Sequence, residues 1–406
     1  MRITILHYAA PPVVGGVERV IYHHATLLAR AGHAVRVVAG RGAPFDPAVA
    51  FERVPWVDSR HPEILALKRA LDEGAFPAAQ FERMAARIGE ALQPSIETAD
   101  VLIAHNVLSL HKSLPLTAAL RRVAEAGAGP RLIAWHHDLA WKAARYRSEM
   151  HDGYPWDLLR ERWPNTRHVA VSEARRRDVM EVFGLAAEEV TVVRNGLDTS
   201  AFLKLEPPIH ALFFEDGLAD AAPLLLLPAR ITRRKNIELA IRAVAALRAG
   251  AMPAAALVVT GPPGPHNPDN LGYYGELKAL AAALGVEGAI HFLTERMGRD
   301  LRYEEVADLY RLADALLFPS HEEGFGLPVL EAALTRLPIF CADIPALREL
   351  AGGQAHMFAP AAAPEHVADL IRAVLSDDRA TAFRRRVFAH YDWHHIVRNQ
   401  IEPLLG

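Results

Sequence analysis

Two carboxylates lie eight positions apart in the segment 319–332, which reads PSHEEGFGLPVLEA. Glu323 falls in a turn after an apolar strand pattern, and Glu331 falls about one turn inside the helix predicted next. A carboxylate accepts hydrogen bonds from two hydroxyl groups at once, which suits sugars. The pair can therefore bind a polyhydroxylated ligand. Alternatively, Glu323 caps the helix and Glu331 neutralises a neighbouring positive charge.

The turn between these carboxylates contains two glycines and a proline. It reads Gly324-Phe325-Gly326-Leu327-Pro328. Glycine lets backbone N–H groups approach a ligand closely, and proline fits the first turn of a helix, where its missing N–H costs nothing. The amino end of the helix then faces an anion beside the two carboxylates.

A basic turn with the sequence LPARITRRKN occupies positions 227–236. Arg230 and Lys235 bracket the loop between a predicted strand and the helix that follows it. Cations at the amino end of a helix can hold a diphosphate and stabilise the charge that builds on a leaving oxygen. Taken alone, the stretch is explained equally well as a solvated basic turn.

Two weaker candidates lie in the first half of the chain. Gly15 and Gly16 connect the first predicted strand to its helix, and backbone N–H groups in such a loop can reach phosphates. A pair of glycines, however, more often marks only a turn. His136 and His137 end another predicted strand, where a histidine is usually structural but can also meet a ligand.

The elements that must position these motifs alternate along the chain. Short β-branched and leucine-rich runs are followed by helical patterns, which predicts βα units and parallel sheets. The predicted strands are 3–7, 34–39, 101–105, 132–136, 168–172, 190–194, 224–227, 256–260, 289–293, 315–318 and 339–341. The predicted helices include 17–31, 63–71, 81–92, 238–247, 274–284, 305–312 and 329–334.

An irregular, proline-containing stretch at 204–222 separates two such series and predicts a domain boundary. We therefore expect an N-terminal domain over 1–205 and a C-terminal domain over 206–390, both Rossmann-like and doubly wound. The fold class is α/β. The carboxyl ends of the two sets of strands are expected to face a central cleft.

Composition narrows the class of protein further. A chain of 406 residues is too long for one ordinary hydrophobic core, so two domains are expected. A net charge of -3 gives no overall electrostatic field that would attract nucleic acid. No apolar run reaches the roughly 18 residues of a membrane helix, and the first residues read as a strand instead of a signal peptide. With one cysteine, Cys341, the simplest prediction is a cytoplasmic protein with no integral membrane segment.

Together these motifs resemble the retaining GT-B glycosyltransferases of family four, which include sucrose synthases and many bacterial mannosyl- and glucosyltransferases. The resemblance implies transfer of a hexose from a UDP- or GDP-linked donor to an acceptor hydroxyl. It assigns Glu323 to hydroxyls of the donor sugar, Glu331 to the ribose, and Arg230 and Lys235 to the diphosphate. It also implies that a final segment, 391–406, crosses back to the N-terminal domain.

The resemblance also implies roles for residues outside the carboxylate motif. It places His137 near the reacting sugar, the Gly15–Gly16 loop at the phosphates, and the backbone at Leu293 against the base. The residues predicted to bind the donor are therefore Gly15, Gly16, Leu293, Gly324, Phe325, Gly326, Leu327 and Glu331.

The predicted mechanism uses neither a metal nor a cofactor. No residue pair stands out as the nucleophile and acid of a double displacement, so we expect front-face attack with retention. The sequence contains no Asp-x-Asp motif, and cationic side chains are expected to replace a metal ion. The alternatives are a disaccharide phosphorylase on the same fold and a non-catalytic subunit that binds sugar nucleotides, although the intact motifs argue against the latter.

Positive charge near the end of the predicted strand at 101–105 suggests an acceptor site. The candidates for binding the acceptor are Asn106, His111, Lys112 and Arg145. Such a set can hold an acidic group on a small molecule, but an ordinary solvated group of charges is an equally good explanation. The surrounding segments also resemble relatives that extend small acceptors such as glycosylated sugar acids. We therefore predict a small polar acceptor, including a carboxylate as one option, in preference to a membrane lipid.

Overall fold

The chain folds into two compact units, seen in a computed structural model that describes residues 1–127, 129–264 and 269–406. The first unit comprises Met1–Leu197 together with Trp393–Gly406, and the second comprises Asp198–Asp392. Each unit contains one parallel sheet with helices around it. The prediction of two Rossmann-like α/β domains is confirmed.

The sheet of the first unit has seven parallel strands in the order β3-β2-β1-β4-β5-β6-β7. The strands are β1 (Arg2–Ala9), β2 (Ala34–Arg41), β3 (Val49–Arg53), β4 (Val101–His105), β5 (Arg131–His136), β6 (Thr166–Ala170) and β7 (Val190–Val192). The α-helices among them are α1 (Gly16–Arg30), α2 (Pro62–Asp72), α3 (Ala78–Glu97), α4 (Leu114–Ala126) and α5 (Glu173–Phe183).

Both faces of this sheet are covered. Alternate residues of β1 enter different clusters of buried side chains: Ile3 and Ile5 pack with α1, whereas Leu6 packs with α3 and α4. Ile3 is in register with Val35 of β2 and Val101 of β4. Strands covered on both faces read as nearly continuous apolar runs, which is why the sequence revealed them.

The second unit has six parallel strands in the order β10-β9-β8-β11-β12-β13. They are β8 (Leu224–Leu227), β9 (Ala256–Val259), β10 (Ile290–Phe292), β11 (Ala315–Phe318), β12 (Ile339–Ala342) and β13 (His356–Phe358). The α-helices are α6 (Thr199–Leu203), α7 (Pro207–His210), α8 (Ile237–Ala249), α9 (Asp269–Ala283), α10 (Leu293–Met297), α11 (Tyr303–Leu312), α12 (Leu327–Leu334), α13 (Pro345–Ala351), α14 (Pro364–Ser376) and α15 (Arg379–Tyr391).

The structure places the division between the units at Leu197 and Asp198, before the predicted position at residue 205. The irregular stretch 204–222 belongs to the second unit. Its apolar side chains, including Ile209 and Phe213, are buried in the core of that unit. This burial could not be predicted, because prolines and short helical turns interrupt the regular spacing of apolar residues that indicates a buried helix face.

The final segment contains α16 (Trp393–Ile396) and α17 (Glu402–Leu405) and is part of the first unit. Trp393 donates its backbone N–H to the carbonyl of Leu197 at 3.1 Å. A Cβ atom on Gly196 would lie 2.6 Å from the Trp393 indole, so the close packing here requires glycine.

Two edge strands, β3 and β13, lie outside the predicted set. Each is only partly buried, so neither has the continuous apolar run that marks the central strands. The sixth strand ends at Ala170 instead of Ser172, because the hydroxyl of Ser172 accepts a hydrogen bond from the Arg175 N–H and caps α5.

Candidate functional site

Lys235 and Glu323 meet beyond the carboxyl ends of β8 and β11, which are neighbours in the second sheet. Lys235 ends the short 3₁₀ turn Arg233–Lys235, and Glu323 lies in the turn between β11 and α12. The Lys235 ammonium donates a hydrogen bond to Oε1 of Glu323. The structure therefore brings two of the residues predicted to hold the donor into direct contact.

This ion pair is largely removed from solvent. The side chain of Lys235 is 10% exposed and that of Glu323 is 8% exposed. The Lys235 ammonium also lies 4.8 Å from the centre of the Phe318 ring. Burial lowers the pKa of Lys235, and the hydrogen bond to Glu323 offsets this only in part. Charges in such a site interact more strongly than charges in open water.

Arg234 is a further contact of the carboxylate, and it was absent from the predicted site. Its Nη1 lies 3.4 Å from Oε2 of Glu323 and 3.3 Å from the carbonyl oxygen of Glu322. The N–H of His321 also donates to the carbonyl of Arg234 at 2.8 Å. Its position beside Lys235 in the basic run was the available sequence clue.

Arg230, the other predicted diphosphate ligand, is exposed at the end of β8. Its side chain has no hydrogen bond or ion pair with any of the described residues. Its backbone packs against Gly261, where a Cβ atom would lie 2.7 Å from the Arg230 Cα. The backbone of Arg230 is therefore closely packed, while the N–H donors of its guanidinium group are available to a ligand.

Glu331 is held by a tyrosine that sequence reasoning did not include. The hydroxyl of Tyr310, on α11, donates to Oε2 of Glu331 at 2.6 Å. Burial, reinforced by Glu331, raises the pKa of Tyr310. Both residues line a cavity of about 160 Å³ between α11 and α12. No spacing rule links a residue on one helix to a residue on the next, so this contact was not predictable from the sequence.

The glycine turn combines exposed and constrained positions. Gly326 has a φ of 100° and precedes α12, and a Cβ atom there would also approach Leu347 to 2.5 Å. Gly324 has no atom within 4 Å of the Cβ position. Phe325 and Leu327 are 57% and 60% exposed. Leu293, predicted to contact the base through its backbone, is fully buried at the start of α10.

In the first unit, Gly15 and Gly16 lie at the amino end of α1, with Gly16 exposed. A Cβ atom on Gly15 would lie 2.0 Å from Oε2 of Glu18, so a carboxylate of the same helix occupies the space beside the loop. A carboxylate is favoured at this end of a helix, as is any other anion.

His137 follows β5, and its ring contacts His105 at the end of β4. Nδ1 of His105 lies 3.0 Å from Nε2 of His137. Burial lowers the pKa of His137 to about 3, so the ring is neutral near pH 7. Asn106 is buried at a φ of 60°, and its Oδ1 accepts the backbone N–H groups of His137 and Asp138 at 2.8 and 3.2 Å. The side-chain oxygen of Asn106 therefore positions the His137 backbone.

The neighbouring histidine has a different environment. His136 is fully buried, and its Nε2 lies 3.0 Å from Nδ1 of His168. The two rings stack with their centres 5.2 Å apart. His137, by contrast, is only partly buried. Of the two candidates, His137 is the one with access to a ligand.

The remaining acceptor candidates surround Tyr146. The ammonium of Lys112 lies 4.2 Å from the ring centre, and the guanidinium carbon of Arg145 lies 4.7 Å from it. Arg145 is also 3.7 Å from the Asp138 carboxylate. Burial would raise the pKa of Tyr146, but hydrogen bonds from Arg145 and Lys112 outweigh it and lower the pKa. The three side chains form one basic group.

His111 is buried beneath this group and bonds to a carboxylate. Its Nε2 lies 2.6 Å from Oε2 of Glu149. Asp72, His111 and Glu149 have ligand atoms within 4.8 Å of one another, which is a spacing that could hold a metal ion. The Lys68 ammonium, however, bonds to Asp72 at 2.5 Å and to Glu149 at 2.8 Å. A side-chain cation therefore already contacts both carboxylates.

Two sequence-family models match the chain, one in each unit. The model for "Glycosyltransferase Family 4" matches residues 14–201, and the model for "Glycosyl transferases group 1" matches residues 209–388. The chain belongs to glycosyltransferase family four. This glycosyltransferase has the GT-B fold and uses a nucleotide sugar, as predicted.

Curated relatives match this glycosyltransferase over most of its length. A glycogen synthase of Mycobacterium tuberculosis is 28% identical, with 98% of this chain and 92% of the relative covered. An MMP alpha-(1->4)-mannosyltransferase of Mycolicibacterium hassiacum is 25% identical, with 99% and 97% covered. A mannosylglucosylglycerate synthase of Thermotoga maritima is 24% identical, with 84% and 80% covered. These relatives favour the transferase over the phosphorylase and over the non-catalytic subunit.

None of the helices in the described part of the chain has the length and apolar character of a membrane-spanning segment.

Proposed function

We propose that this glycosyltransferase transfers a hexose with retention and without a metal ion, and that Lys235 and Glu323 hold the donor where it reacts. The observation that carries the proposal is the buried contact between these two side chains at the ends of neighbouring strands. It places a cation suited to phosphate directly beside a carboxylate suited to sugar hydroxyls.

The cations can hold the diphosphate without losing the contacts described above. An ammonium group has three donors, so Lys235 can bond to Glu323 and still donate to phosphate oxygens. Arg230 has its five donors available, and a guanidinium binds phosphate through paired hydrogen bonds. Together they stabilise the charge that develops on the leaving oxygen.

The pairing of Glu323 supports front-face attack. Each of its carboxylate oxygens contacts a cation, Oε1 with Lys235 and Oε2 with Arg234, so neither oxygen is free to attack the sugar as a nucleophile. The leaving phosphate oxygen then accepts the proton of the acceptor hydroxyl as the new glycosidic bond forms on the same face. Glu331, oriented by Tyr310, is assigned to the ribose of a uridine or guanosine nucleotide.

For the acceptor we propose a small polar molecule, with a carboxylate bound at the basic group of Lys112, Arg145 and Tyr146. The relative named for a glycerate-containing product supports this choice. A cytoplasmic location is proposed from the single cysteine.

The test is to incubate the purified protein with UDP- and GDP-linked glucose and mannose, with glycerate-type glycosides, neutral sugars or a glycerolipid as acceptors. We expect release of nucleoside diphosphate with one donor, the fastest rates with an acidic glycoside, and an α-linked product from an α-linked donor. Glu323→Gln serves as the matched inactive control. An inverted product would overturn the retaining mechanism, and a clear preference for the lipid would overturn the acceptor proposal.

A further inference from the structure

Four aromatic side chains of the first unit form a buried cluster that ends at His137. The rings of His24, His105 and Trp135 lie with their centres between 4.6 and 5.5 Å apart. His24 and His105 are fully buried, and Trp135 is 1% exposed. His105 then contacts His137 through the bond between Nδ1 and Nε2.

One proton must lie in the contact between His105 and His137. Burial holds the pKa of His105 well below its ordinary value and that of His137 near 3, so both rings are neutral and each has one N–H group. If His137 donates from Nε2, the proton of His105 must lie on its own Nε2. If His105 donates from Nδ1, its Nε2 is an unprotonated acceptor.

The surroundings of His105 distinguish these two arrangements. Nε2 of His105, both ring nitrogens of His24 and Nε1 of Trp135 are buried, with no hydrogen-bond partner among the described residues. Indole nitrogen is always a donor, and a neutral imidazole supplies one donor and one acceptor. With an unprotonated His105 Nε2 this group contains two donors and two acceptors. With a protonated one it contains three donors and a single acceptor.

The arrangement with an unprotonated His105 Nε2 is favoured, because it leaves two unpartnered N–H groups in this cluster instead of three, and buried N–H groups without an acceptor are rare and costly. We propose that His105 donates from Nδ1 to Nε2 of His137 and thereby fixes His137 with its proton on Nδ1. Nδ1 of His137 has no hydrogen-bond partner among the described residues, and it is not one of the buried, unpartnered nitrogen atoms. His137 therefore offers an N–H donor to a ligand, and His105 is a positioning residue.

This arrangement decides what His137 can do. A neutral ring that is protonated on its free nitrogen donates a hydrogen bond to an oxygen, but that nitrogen cannot accept a proton. His137 thus binds a sugar hydroxyl or phosphate oxygen and does not act as the general base. Asn106 supports this role because it fixes the backbone N–H of His137. The inference rests on the proposed function only in taking His137, which the family resemblance places near the reacting sugar, as a contact of the donor.

The direct test is a two-bond ¹H–¹⁵N correlation spectrum of the imidazole rings of the full chain near pH 7, with the His137 signals assigned from their loss in His137→Asn. We expect the wild type to show His137 protonated on Nδ1, and His105→Phe to move the proton toward Nε2. Protonation of wild-type His137 on Nε2, or on both nitrogens, would overturn the inference even if His105→Phe does not fold.

The activity test separates the tautomer from the function. An asparagine amide can replace Nδ1 of histidine, whereas a glutamine amide reaches the position of Nε2. We expect His137→Asn to retain at least about ten times the kcat/KM of His137→Gln, which is the scale of one hydrogen bond. Equal losses in the two variants would overturn the donor role. If the spectrum shows the Nδ1 form but neither variant changes turnover, the tautomer stands and the assignment of His137 to the site fails.

Discussion

Lys235 donates a hydrogen bond to Glu323 across 88 positions of sequence, and both side chains are about nine-tenths buried. The contact forms because β8 and β11 are adjacent in the sheet and both turns lie beyond the carboxyl ends of these strands. In an α/β sheet, ligands bind at this edge.

Replacing Lys235 by methionine should lower kcat by at least about 10²-fold, the scale expected when one transition-state contact is lost. Arg233→Met is the matched control, because Arg233 lies in the same turn but is exposed and bonded to Glu276. The unfolding midpoints of both variants are compared first, to establish that they are folded. Their initial rates then test whether Lys235 contributes to turnover. A normal rate for a folded Lys235→Met protein would remove this residue from the site.

Tyr310→Phe should weaken donor binding while leaving kcat less affected. The variant loses the hydrogen bond that orients Glu331, worth about 1.5 kcal/mol or roughly a tenfold rise in Kd for the nucleoside diphosphate. Tyr303→Phe is a suitable comparison, because Tyr303 lines the same cavity and is 71% exposed. Calorimetric titration with each nucleotide measures the effect. Unchanged affinity of Tyr310→Phe for the nucleotide would show that Glu331 does not bind the ribose.

Activity should survive a chelator, because side-chain cations are proposed to neutralise the diphosphate. Turnover in excess EDTA is expected to match turnover in added magnesium or manganese to within about twofold, a difference below about 0.5 kcal/mol in the barrier. Loss of activity in EDTA, with recovery on adding either metal, would contradict the metal-free mechanism.

Stability should fall as the pH is lowered below 6.5. Burial lowers the pKa values of His24 and His137 to about 3 and those of His7 and His168 to about 4, from 6.5. Between pH 6.5 and 4 the unfolded chain therefore binds more protons than the folded chain. Each group then removes up to about 1.4 kcal/mol of stability per pH unit.

Urea unfolding at pH 7.5, 6.0 and 5.0 measures this dependence. His24→Phe keeps an aromatic ring in the cluster. It should reduce the change in unfolding free energy with pH by up to the contribution of one histidine, about 1.4 kcal/mol per pH unit. His366→Gln, at an exposed position, should leave it unchanged. A slope equally steep in His24→Phe and in the wild type would show that His24 is not held neutral by the fold.

The sequence by itself determined most strands of both sheets, the family and most of the turns that form the candidate site. Buried parallel strands such as β4, β8 and β11 are continuous apolar runs, and their predicted bounds match the structure. The glycine turn before α12 was also predictable, because a proline in the first helical turn and a glycine before it are local requirements. Edge strands such as β3, which are half exposed, lack that local signature.

Tertiary structure decided which side chains meet. The sequence favoured His137 over the adjacent His136 only through the family resemblance, whereas the fold buries His136 against His168 and leaves His137 partly exposed. It also turned Asn106 inward to hold a backbone, placed Tyr310 on Glu331, and added Arg234 to Glu323. The physical reason is that these contacts join residues from separate strands and helices. Their distances depend on strand order and packing, which local periodicity does not encode.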